Sequence, residues 1–364
     1  MNSTTSKSRT GSDQSASISI EGREIGRDLP AFLIAEVSAN HDRDLDQALA
    51  LVDIAAEAGW HSLKLQTYTA DSLTMRSDHP SMRVDPVWGA RNLHELYQKA
   101  SMPMEFHEPL FAKARDLGLV PFTSVYDPRD LDFVEKLDCS IYKIASFEMT
   151  FDDLLRATAQ TKKPIIMSTG MANLEEIEHA MEVLETSGAE DIVLLHCCSS
   201  YPAPLDEINL RAMLGMSEKF GSPVGFSDHT IGSVGPLAAI AMGAVAVEKH
   251  FTNDPAREGP DHRFSATKDI LVEIAEGAKD IHLAKGTGVK KTRAVEEQNK
   301  ALGRRSAFAQ RDLPAGHVLS MEDYRFIRPG AGVPSDRPEL LQNARLVRGV
   351  QKGHPIQIED IAER

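Results

Sequence analysis

The sequence predicts an α/β protein, in which a (β/α)8 barrel of the TIM type is followed by a small, mostly β domain. Two observations support this fold class. Eight short apolar segments alternate with amphipathic helical stretches, and this alternation stops near residue 295. Such repeated strand–helix alternation is typical of a barrel or of a large doubly wound sheet. No GxGxxG turn follows the first segment, which favours the barrel over a dinucleotide-binding sheet.

The eight apolar segments are mostly rich in Val, Ile, Leu or Phe, as expected for parallel strands that are buried on both faces. They are AFLIAE (31–36), SLKLQT (62–67), VPFTSV (120–125), IYKIAS (141–146), PIIMST (164–169), IVLLHC (192–197), PVGFSDH (223–229) and AVAVEKH (244–250). Apolar residues recur at helical spacing between them, and Asn173 followed by Glu176 predicts where one helix begins. The predicted helical stretches are 44–58, 105–117, 173–186, 206–220, 233–242 and 268–285.

The domain boundaries follow from changes in composition. The polar N-terminus lacks the apolar stretch of a signal peptide and predicts a disordered tail. The predicted segments are a tail over 1–17, the barrel over 18–285, a charged linker over 286–301 and the small β domain over 302–364. In the last of these, LPAGHVLSMEDY (313–324) and VQKGHPIQIEDI (350–361) share Gly-His and a later Glu-Asp, which indicates an internal pseudo-repeat.

Charge and cysteine content exclude several classes of protein. A formal net charge of −14 argues against nucleic acid or an anionic membrane as a partner. No apolar segment reaches the roughly 20 residues of a membrane span. The chain has three cysteines, of which Cys197 and Cys198 are adjacent, so a disulfide framework is not expected. We interpret these two as structural, and a reducing, cytoplasmic compartment fits them.

The predicted strands end in chemically active side chains, and active sites of (β/α)8 enzymes lie at the carboxyl ends of the strands. A ring this rich in lysine, hydroxyl, carboxylate and imidazole groups is difficult to explain by packing alone. In strand order the groups are Glu36; Lys64 and Gln66; Ser124; Lys143, Ser146 and Glu148; Ser168 and Thr169; His196 and Ser199; Ser227, Asp228 and His229; and Glu248 and His250.

His229 and His250 close the seventh and eighth strands, which are neighbours in a barrel. Two imidazoles on adjacent strand ends can share one divalent ion, and Glu248 lies nearby. The alternative is a hydrogen-bonded pair of histidines without a metal. Mixed nitrogen and oxygen donors fit Mn²⁺, Mg²⁺, Co²⁺ or Zn²⁺ and do not choose among them.

Lys64 and Lys143 lie inside apolar strands, where a lysine is rare unless it is paired. They indicate binding of a phosphate or carboxylate with help from the serine hydroxyls, a Schiff base formed by one lysine, or a structural ion pair. The number of hydroxyls favours anion binding. The segment GPDHRFS (259–265) offers Asp261 to a polyol, but its composition alone favours a surface turn.

The ordered motifs resemble the sialic acid synthase family over nearly the whole chain after residue 20. The segment from Arg304 to Gly332 resembles the antifreeze-like (SAF) domain of that family. The motifs are IAEVSANH (34–41), LKLQTYTADSLT (63–74), YKIASFE (142–148), STGM (168–171), HCCSSYP (196–202), GFSDHT (225–230), EKHF (248–251) and GPDH (259–262).

The resemblance implies a metal-dependent transferase that condenses phosphoenolpyruvate with an N-acetylated hexose aldehyde, giving a nine-carbon 2-keto acid and phosphate. The metal, Mn²⁺ or Mg²⁺, would be bound by His229 and His250, and Glu36 and Glu248 would position its waters. Phosphoenolpyruvate would be held by Lys64, Ser124, Lys143, Ser146, Ser168, Ser199 and Ser227.

The resemblance also implies a sugar site and an assembly. The sugar would be held by Gln66, Glu148, Tyr201 and Asp261, and the catalytic groups would be Glu36, Glu148, His229 and His250. Arg328, in RPGAG, matches an arginine that the C-terminal domain inserts into the barrel of a second subunit. A domain-swapped homodimer is therefore expected.

Within the family, four motifs and Ser199 are similar to the pseudaminic acid branch; the motifs are SANH, QTYTADSLT, WGARNLHELYQKA (88–100) and ASFE. By contrast, GPDH and RPGAG are similar to the legionaminic or N-acetylneuraminate types. We therefore expect a pseudaminic acid synthase, with N-acetylneuraminate or legionaminic acid synthase as the alternative. Two remoter alternatives are a Schiff-base aldolase that uses Lys143 or Lys64, and a non-enzymatic binding protein that acts through its C-terminal domain.

Overall fold

The structure, a computed structural model, describes residues 17–85 and 89–362. It divides into two compact units, one ending at Gly286 and the other spanning Thr287–Arg364. The predicted disordered tail lies outside the described residues, apart from its last residue. The predicted domain boundaries stay predictions.

The first unit is a closed barrel of eight parallel strands, which confirms the predicted fold class. Two short antiparallel strands, β1 (Ile18–Ile20) and β2 (Arg23–Ile25), precede it and were not predicted. Each barrel strand pairs with its neighbours in chain order, and the last strand pairs with the first. The barrel strands are β3 (Phe32–Glu36), β4 (Ser62–Thr67), β5 (Val120–Val125), β6 (Tyr142–Ile144), β7 (Ile165–Ser168), β8 (Ile192–Cys197), β9 (Val224–Asp228) and β10 (Ala246–His250).

The strands are buried on both faces, which explains why their sequences are apolar throughout instead of alternating. All residues of β3, β5 and β9 are buried. A barrel strand lies between the packed interior and the outer layer of helices, so neither of its faces meets water. Polar side chains within such strands therefore point to function or to pairing.

Among the described residues of this unit, six helices overlap the predicted stretches, and four further helices, of four to nine residues each, were not predicted. In α7 (Leu174–Thr186), Asn173 and Glu176 form the predicted N-terminal cap, with hydrogen bonds in both directions. The stretch predicted from residue 206 becomes helical only at Ala212, because Asn209 has a φ of 40°, in the left-handed region. The helices of this unit are α1 (Leu45–Glu57), α2 (Ala70–Leu73), α3 (Leu93–Ala100), α4 (Met104–Asp116), α5 (Leu131–Lys136), α6 (Asp152–Gln160), α7 (Leu174–Thr186), α8 (Ala212–Phe220), α9 (Val234–Ala241) and α10 (Lys268–Lys285).

The second unit contains the short helix α11 (Glu297–Gly303) and two antiparallel strands, β11 (Ser306–Ala309) and β12 (Tyr324–Ile327). Its own apolar core includes Leu313, Leu341 and Ile356. The sequence analysis did not predict α11, whose polar residues fell in the expected linker.

The pseudo-repeat in the second unit is confirmed by equivalent hydrogen bonds around two buried aspartates. Asp323 accepts hydrogen bonds from the side chain of Arg311 and from the backbone N–H of Ser320. Asp360 accepts them from the side chain of Arg348 and the backbone N–H of Gln357, at the same offsets along the chain. The repeated motif is therefore a repeated turn, held by a buried carboxylate.

Candidate active site

A cavity of about 470 Å³ opens at the carboxyl ends of the barrel strands. Two predicted residues lie just behind its lining: Ser124 contacts Lys64 and Ser199 contacts Cys197. The structure brings most of the predicted site residues together in its wall: Glu36, Lys64, Gln66, Lys143, Ser146, Glu148, Ser168, Tyr201, Ser227, His229, Glu248, His250 and Asp261.

Arg328 belongs to the second unit. It directly follows β12 and is exposed. Its predicted insertion into the barrel of a second subunit stays a prediction.

Lys64 is held by two carboxylates, Glu36 from the neighbouring strand β3 and Glu248 from β10, which lies on the far side of β3. Its Nζ lies 2.8 Å from Glu36 Oε2 and 3.3 Å from Glu248 Oε1, and donates to Ser124 Oγ at 2.9 Å. The register of the sheet explains why these three side chains are close. Glu36 pairs with Lys64 on one side and with His250 on the other, and Glu248 lies two residues before His250 on the same strand. Lys64 is thus in an ion pair, which was one of the three interpretations of the buried lysines.

The two carboxyl groups have different acidities. Burial and the charge of Glu248 raise the pKa of Glu36 to about 7, although Lys64 opposes this shift. Burial also disfavours ionisation of Glu248, but the cations of Lys64 and Lys143 outweigh it and lower its pKa. Glu36 is therefore the carboxyl group that is suited to exchange a proton near neutral pH.

Lys143 differs from Lys64 in its partners. It is 1% exposed and donates to Ser168 Oγ at 2.6 Å and to the carbonyl oxygen of Ile144 at 2.9 Å. Within the described part of the chain, no carboxylate lies within ion-pair distance of it. Burial lowers its pKa. A buried ammonium group with only neutral partners has unused capacity to bind an anion.

Three small polar side chains converge on Gly170 beside these lysines. Gly170 donates its N–H to Ser146 Oγ at 3.0 Å. A Cβ at this position would lie 2.1 Å from Ser199 Oγ, 2.9 Å from Ser146 Oγ and 3.2 Å from Cys197 Sγ. There is no room here for any side chain, so the hydroxyls meet around bare backbone.

Cys197 lines the cavity, which the sequence analysis missed when it interpreted this residue as structural. A signal was available, because residues two apart in an extended strand face the same side. Because the sequence analysis predicted Ser199 as a site residue, Cys197, two residues before it, should have been expected to face the same side.

The two predicted metal-binding histidines lie next to each other, with ring centroids 5.2 Å apart. His229 Nδ1–H donates to the carbonyl oxygen of Cys198 at 3.0 Å, which leaves Nε2 free to act as a ligand. His250 Nδ1 is buried and has no hydrogen-bond partner among the described residues. Burial lowers the pKa of His250 well below its usual value, so its ring is neutral.

These donors fit an open site for a divalent ion. In the described ranges, no three His, Cys, Asp or Glu side chains surround one point as metal ligands. Two imidazoles with free nitrogens would leave the remaining coordination positions to water and substrate oxygens. Such a site is typical of a catalytic metal and not of a structural one.

Asp261 is not on a surface turn, so that interpretation of the 259–265 segment is wrong. Its carboxylate accepts hydrogen bonds from Ser38 Oγ and, at 3.3 Å, from the N–H of Ala39. His262 and Phe264, which follow it, are buried. Burial raises the pKa of Asp261. The loop turns inward and presents a carboxylate to the cavity.

Glu148 and Gln66 complete the predicted sugar side. Burial raises the pKa of Glu148 to about 7, and its Oε2 is buried with no hydrogen-bond partner in the described residues. Gln66 donates to Glu36 Oε1 at 2.7 Å. A carboxyl group that faces a cavity without a partner is well placed to bind a hydroxyl or amide of a ligand.

Aromatic and aliphatic side chains from the loops also line the cavity, and the sequence analysis missed them. Tyr68 packs against Tyr126 and Tyr97, with ring centroids 5.0 and 6.0 Å away. Leu73 from α2 and Leu96 from α3 also contribute. The cavity thus has an apolar wall as well as charged groups.

Comparison with known protein families shows to which family the chain belongs. The NeuB family model matches residues 51–290, and the SAF domain model matches residues 304–362. The chain belongs to the NeuB family. Both parts of the resemblance seen in the sequence are thereby confirmed. Relatives in the NeuB family are synthases, so the protein is an enzyme.

Several known proteins share about a third of their residues with this chain. A pseudaminic acid synthase of Campylobacter jejuni is 36% identical, over 86% of this chain and 92% of the relative. An N,N'-diacetyllegionaminic acid synthase of Legionella pneumophila is 34% identical, over 92% of this chain and 96% of the relative. A crystal structure of N-acetylneuraminic acid synthetase from Leptospira borgpetersenii is 30% identical, with a TM-score of 0.70 over 78% of this chain and 95% of that one.

Among the residues described here, no helix is both long and apolar enough to cross a membrane. Cytoplasmic location stays a prediction.

Proposed function

We propose that the enzyme is a metal-dependent nonulosonate synthase, and that its product is pseudaminic acid. It would condense phosphoenolpyruvate with a 2,4-diacetamido-trideoxy hexose aldehyde. The observation that carries the proposal is Lys143, a buried ammonium group that has no carboxylate partner among the described residues. It lies beside a group of hydroxyls and in the same cavity as His229 and His250, each of which has a ring nitrogen without a hydrogen-bond partner in that part of the chain. The relatives named pseudaminic acid synthase support the choice of product.

The lysines and hydroxyls would bind phosphoenolpyruvate. Lys143 and Lys64 offset the negative charges of its phosphate and carboxylate, and Ser146, Ser168 and Ser227 donate hydrogen bonds to them. Binding would satisfy Lys143 and compete with the carboxylates for Lys64. The barrel holds the donor rigidly, so its reactive carbon stays at a fixed place relative to the acceptor.

His229 and His250 would bind the divalent ion, Mn²⁺ or Mg²⁺. When bound, such an ion polarises the aldehyde oxygen of the sugar as a Lewis acid. In the reaction, C3 of phosphoenolpyruvate forms a bond to the aldehyde carbon, water adds to C2, and phosphate leaves. Glu36, with its pKa of about 7, would take a proton from that water and pass it to the oxygen of the former aldehyde, while the second proton of the water leaves with phosphate.

Gln66, Glu148, Tyr201 and Asp261 would orient the sugar through its hydroxyl and amide groups. We further propose a domain-swapped homodimer, in which Arg328 of the partner subunit completes the sugar site. Mixing Arg328→Ala and His229→Ala subunits tests this, because a mixed dimer would contain one intact site. Recovery of activity on mixing supports the swap, and no recovery despite subunit exchange contradicts it.

The proposed reaction is tested by phosphate release from phosphoenolpyruvate with three acceptors: the precursors of pseudaminic, legionaminic and N-acetylneuraminic acid. We expect the highest kcat/KM with the pseudaminic precursor, and loss of activity with a chelator that Mn²⁺ restores. A preference for another acceptor would contradict the proposed product but would still support the proposed reaction.

Other outcomes would overturn the proposal at different points. Full activity after rigorous metal removal would contradict the proposed metal dependence. Trapping of a substrate adduct on Lys143 or Lys64 by borohydride would favour the Schiff-base alternative. Absence of phosphate release with every acceptor would exclude the synthase reaction.

A further inference from the structure

A second buried ion pair lies directly behind the two histidines. Asp228 and Lys249 contact each other through their charged groups, and their side chains are 0% and 2% exposed. Asp228 directly precedes His229, and Lys249 directly precedes His250. The two residues are also opposite each other in the register of β9 and β10.

This pair faces away from the cavity. His229 and His250 line the cavity, and neighbouring residues in a strand face opposite sides. Asp228 and Lys249 accordingly point outward, towards the helices. The other ion pairs between barrel strands in the described residues join Lys64 to Glu36 and Glu248, and these face the cavity. A charged pair on the helix side therefore needs a separate explanation.

Thr230 closes a ring of contacts around His229. Lys249 Nζ donates to the carbonyl oxygen of Thr230 at 2.7 Å, and the N–H of Thr230 donates to Asp228 Oδ1 at 3.0 Å. Lys249 thus holds the residue before His229 and the residue after it. Since Lys249 is itself bonded to His250 through the backbone, one ammonium group fixes both histidine backbones.

Helix α9 covers this ring closely. A Cβ at Gly235, in the first turn of α9, would lie 2.7 Å from Thr230 Oγ1 and 3.1 Å from Asp228 Oδ1. The backbone of α9 thus packs directly against Thr230 and Asp228, and a side chain at this position would displace them. The ring is therefore tightly packed as well as buried.

Stability does not explain such a pair. The cost of removing two charges from water roughly cancels their attraction, and well-packed apolar residues of similar volume are often as stable or more so. A buried charged pair does, however, restrict its two strands to one relative position, because any other position leaves a charge unpaired.

We propose that Asp228 and Lys249 are positioning residues, which hold His229 and His250 at the separation at which both can bind one divalent ion. Thr230 is the third member of this arrangement. The inference rests on the metal site of the proposed function. It adds that the affinity of this site for metal depends on charges that touch neither metal nor substrate.

The test measures Mn²⁺ affinity, independently of turnover, in the full-length protein. The double variant Asp228→Leu/Lys249→Met removes both charges and keeps apolar volume, and Asp228→Asn/Lys249→Gln keeps a neutral hydrogen-bonded pair. Electron paramagnetic resonance of free Mn²⁺ gives the dissociation constant of each. We expect Kd to rise about tenfold or more in the apolar variant, as for residues that orient metal ligands, and to return towards the wild-type value in the neutral pair.

Controls separate positioning from a general loss of structure. Asp53→Asn/Lys113→Met removes an ion pair between α1 and α4, on the outside of the barrel, and should keep the wild-type Kd. Thermal unfolding of the metal-free apolar variant should remain cooperative, with a Tm near or above the wild-type value. If that variant fails to fold, an unchanged Kd in the neutral pair together with a raised Kd in Asp228→Asn alone would still support the proposal.

Two results would overturn the inference, and they are distinguishable. Wild-type Mn²⁺ affinity in a folded apolar variant would contradict positioning and leave the metal site intact. Absence of Mn²⁺ binding to the wild-type protein, matched by His229→Ala, would overturn the metal site and this inference with it.

Discussion

Buried carboxylates occur in both units of the molecule, but their surroundings differ. In the C-terminal unit, Asp323 accepts hydrogen bonds from Arg311, His317 and Ser320. Although burial opposes its ionisation, these donors hold its pKa well below the usual range. In the barrel cavity, Glu148 has a buried oxygen to which no described group donates a hydrogen bond, and burial raises its pKa to about 7.

This difference distinguishes a structural charge from a functional one. A carboxylate whose hydrogen-bonding capacity is filled by the protein stabilises the fold and has nothing left for a ligand. A buried carboxyl group or ammonium with unused capacity reduces stability until a ligand arrives. Charged residues in the cavity should therefore affect activity more than stability, and those of the C-terminal unit should do the reverse.

The largest effect is expected for Lys143→Met. Loss of the ammonium group that lacks an anionic partner should lower the rate of phosphate release by about 10³-fold, as for removal of a key group that stabilises charge. The Tm should stay the same or rise, because an unpaired buried charge disappears. Phosphate release and calorimetry measure the two effects.

Lys163→Met is the matched control for this variant. Lys163 forms a partly exposed ion pair with Glu135, so its loss should leave the rate unchanged. A large fall in Tm with Lys143→Met, together with preserved activity, would mean that Lys143 is structural.

The next effect concerns Asp323→Ala, which should lower the free energy of unfolding of the C-terminal unit by about 3 kcal/mol, because several hydrogen bonds are lost together. Asp360→Ala, at the equivalent place in the repeat, should act similarly. Chemical denaturation, followed by hydrogen exchange in this unit, provides the measurement. A loss below about 1 kcal/mol would show that the repeated turn does not depend on its carboxylate.

The third effect is a pH dependence. With a pKa raised to about 7, Glu148 is neutral below that pH and ionised above it. If its carboxylate accepts a hydrogen bond from the sugar, KM for the sugar should rise about tenfold per pH unit as the pH falls below 7. Glu148→Gln should have a higher KM that no longer varies in this range, and a wild-type slope in that variant would assign the titration to another group.

The same raised pKa affects stability with a definite sign. The folded protein holds the proton of Glu148 more tightly than the unfolded chain does, so this contribution to stability is complete below about pH 4.5 and is lost as the pH rises through 7. For Asp323 the sign is opposite, since its stabilisation is present at neutral pH and is lost in acid, below its usual pKa of 3.8.

The smallest effect is expected for Ser124→Ala. Ser124 donates no charge and touches Lys64 through one hydrogen bond, so KM for phosphoenolpyruvate should rise about fivefold. Thr123→Val is the control, since Thr123 bonds Thr67 on the other face of the strand. It should alter stability and not KM. Equal effects of both variants on KM would argue that Ser124 does not act by orienting Lys64.

The barrel and the floor of its cavity were predictable because they follow from short-range pattern. A strand buried on both faces is apolar throughout, so Lys64 and Lys143 stand out within it. The order of strands in a barrel follows the order in the chain, which places His229 beside His250 without further information.

The loops were not predictable to the same degree. Asp261 is turned into the cavity by Ser38, which is 223 residues away along the chain, and no local pattern encodes that contact. Tyr68 and Tyr126 likewise come from loops without periodicity, and Tyr97 comes from α3, a short helix that was not predicted. The sequence therefore located most of the polar groups at the strand ends that line the cavity, and it missed most of the wall that the connections between strands supply. The roles of these groups stay predictions.

The absence of a side chain at Gly170 has a consequence for redesign of this enzyme. The backbone there is already in contact with two hydroxyls and a thiol, so even one added methyl group would displace them. Directed evolution towards new acceptors should leave this position and its neighbours unchanged and should concentrate diversity on Leu73, Leu96 and Tyr97. The side of the cavity around Gly170 would then stay constant among the variants, and the side formed by Leu73, Leu96 and Tyr97 would differ between them.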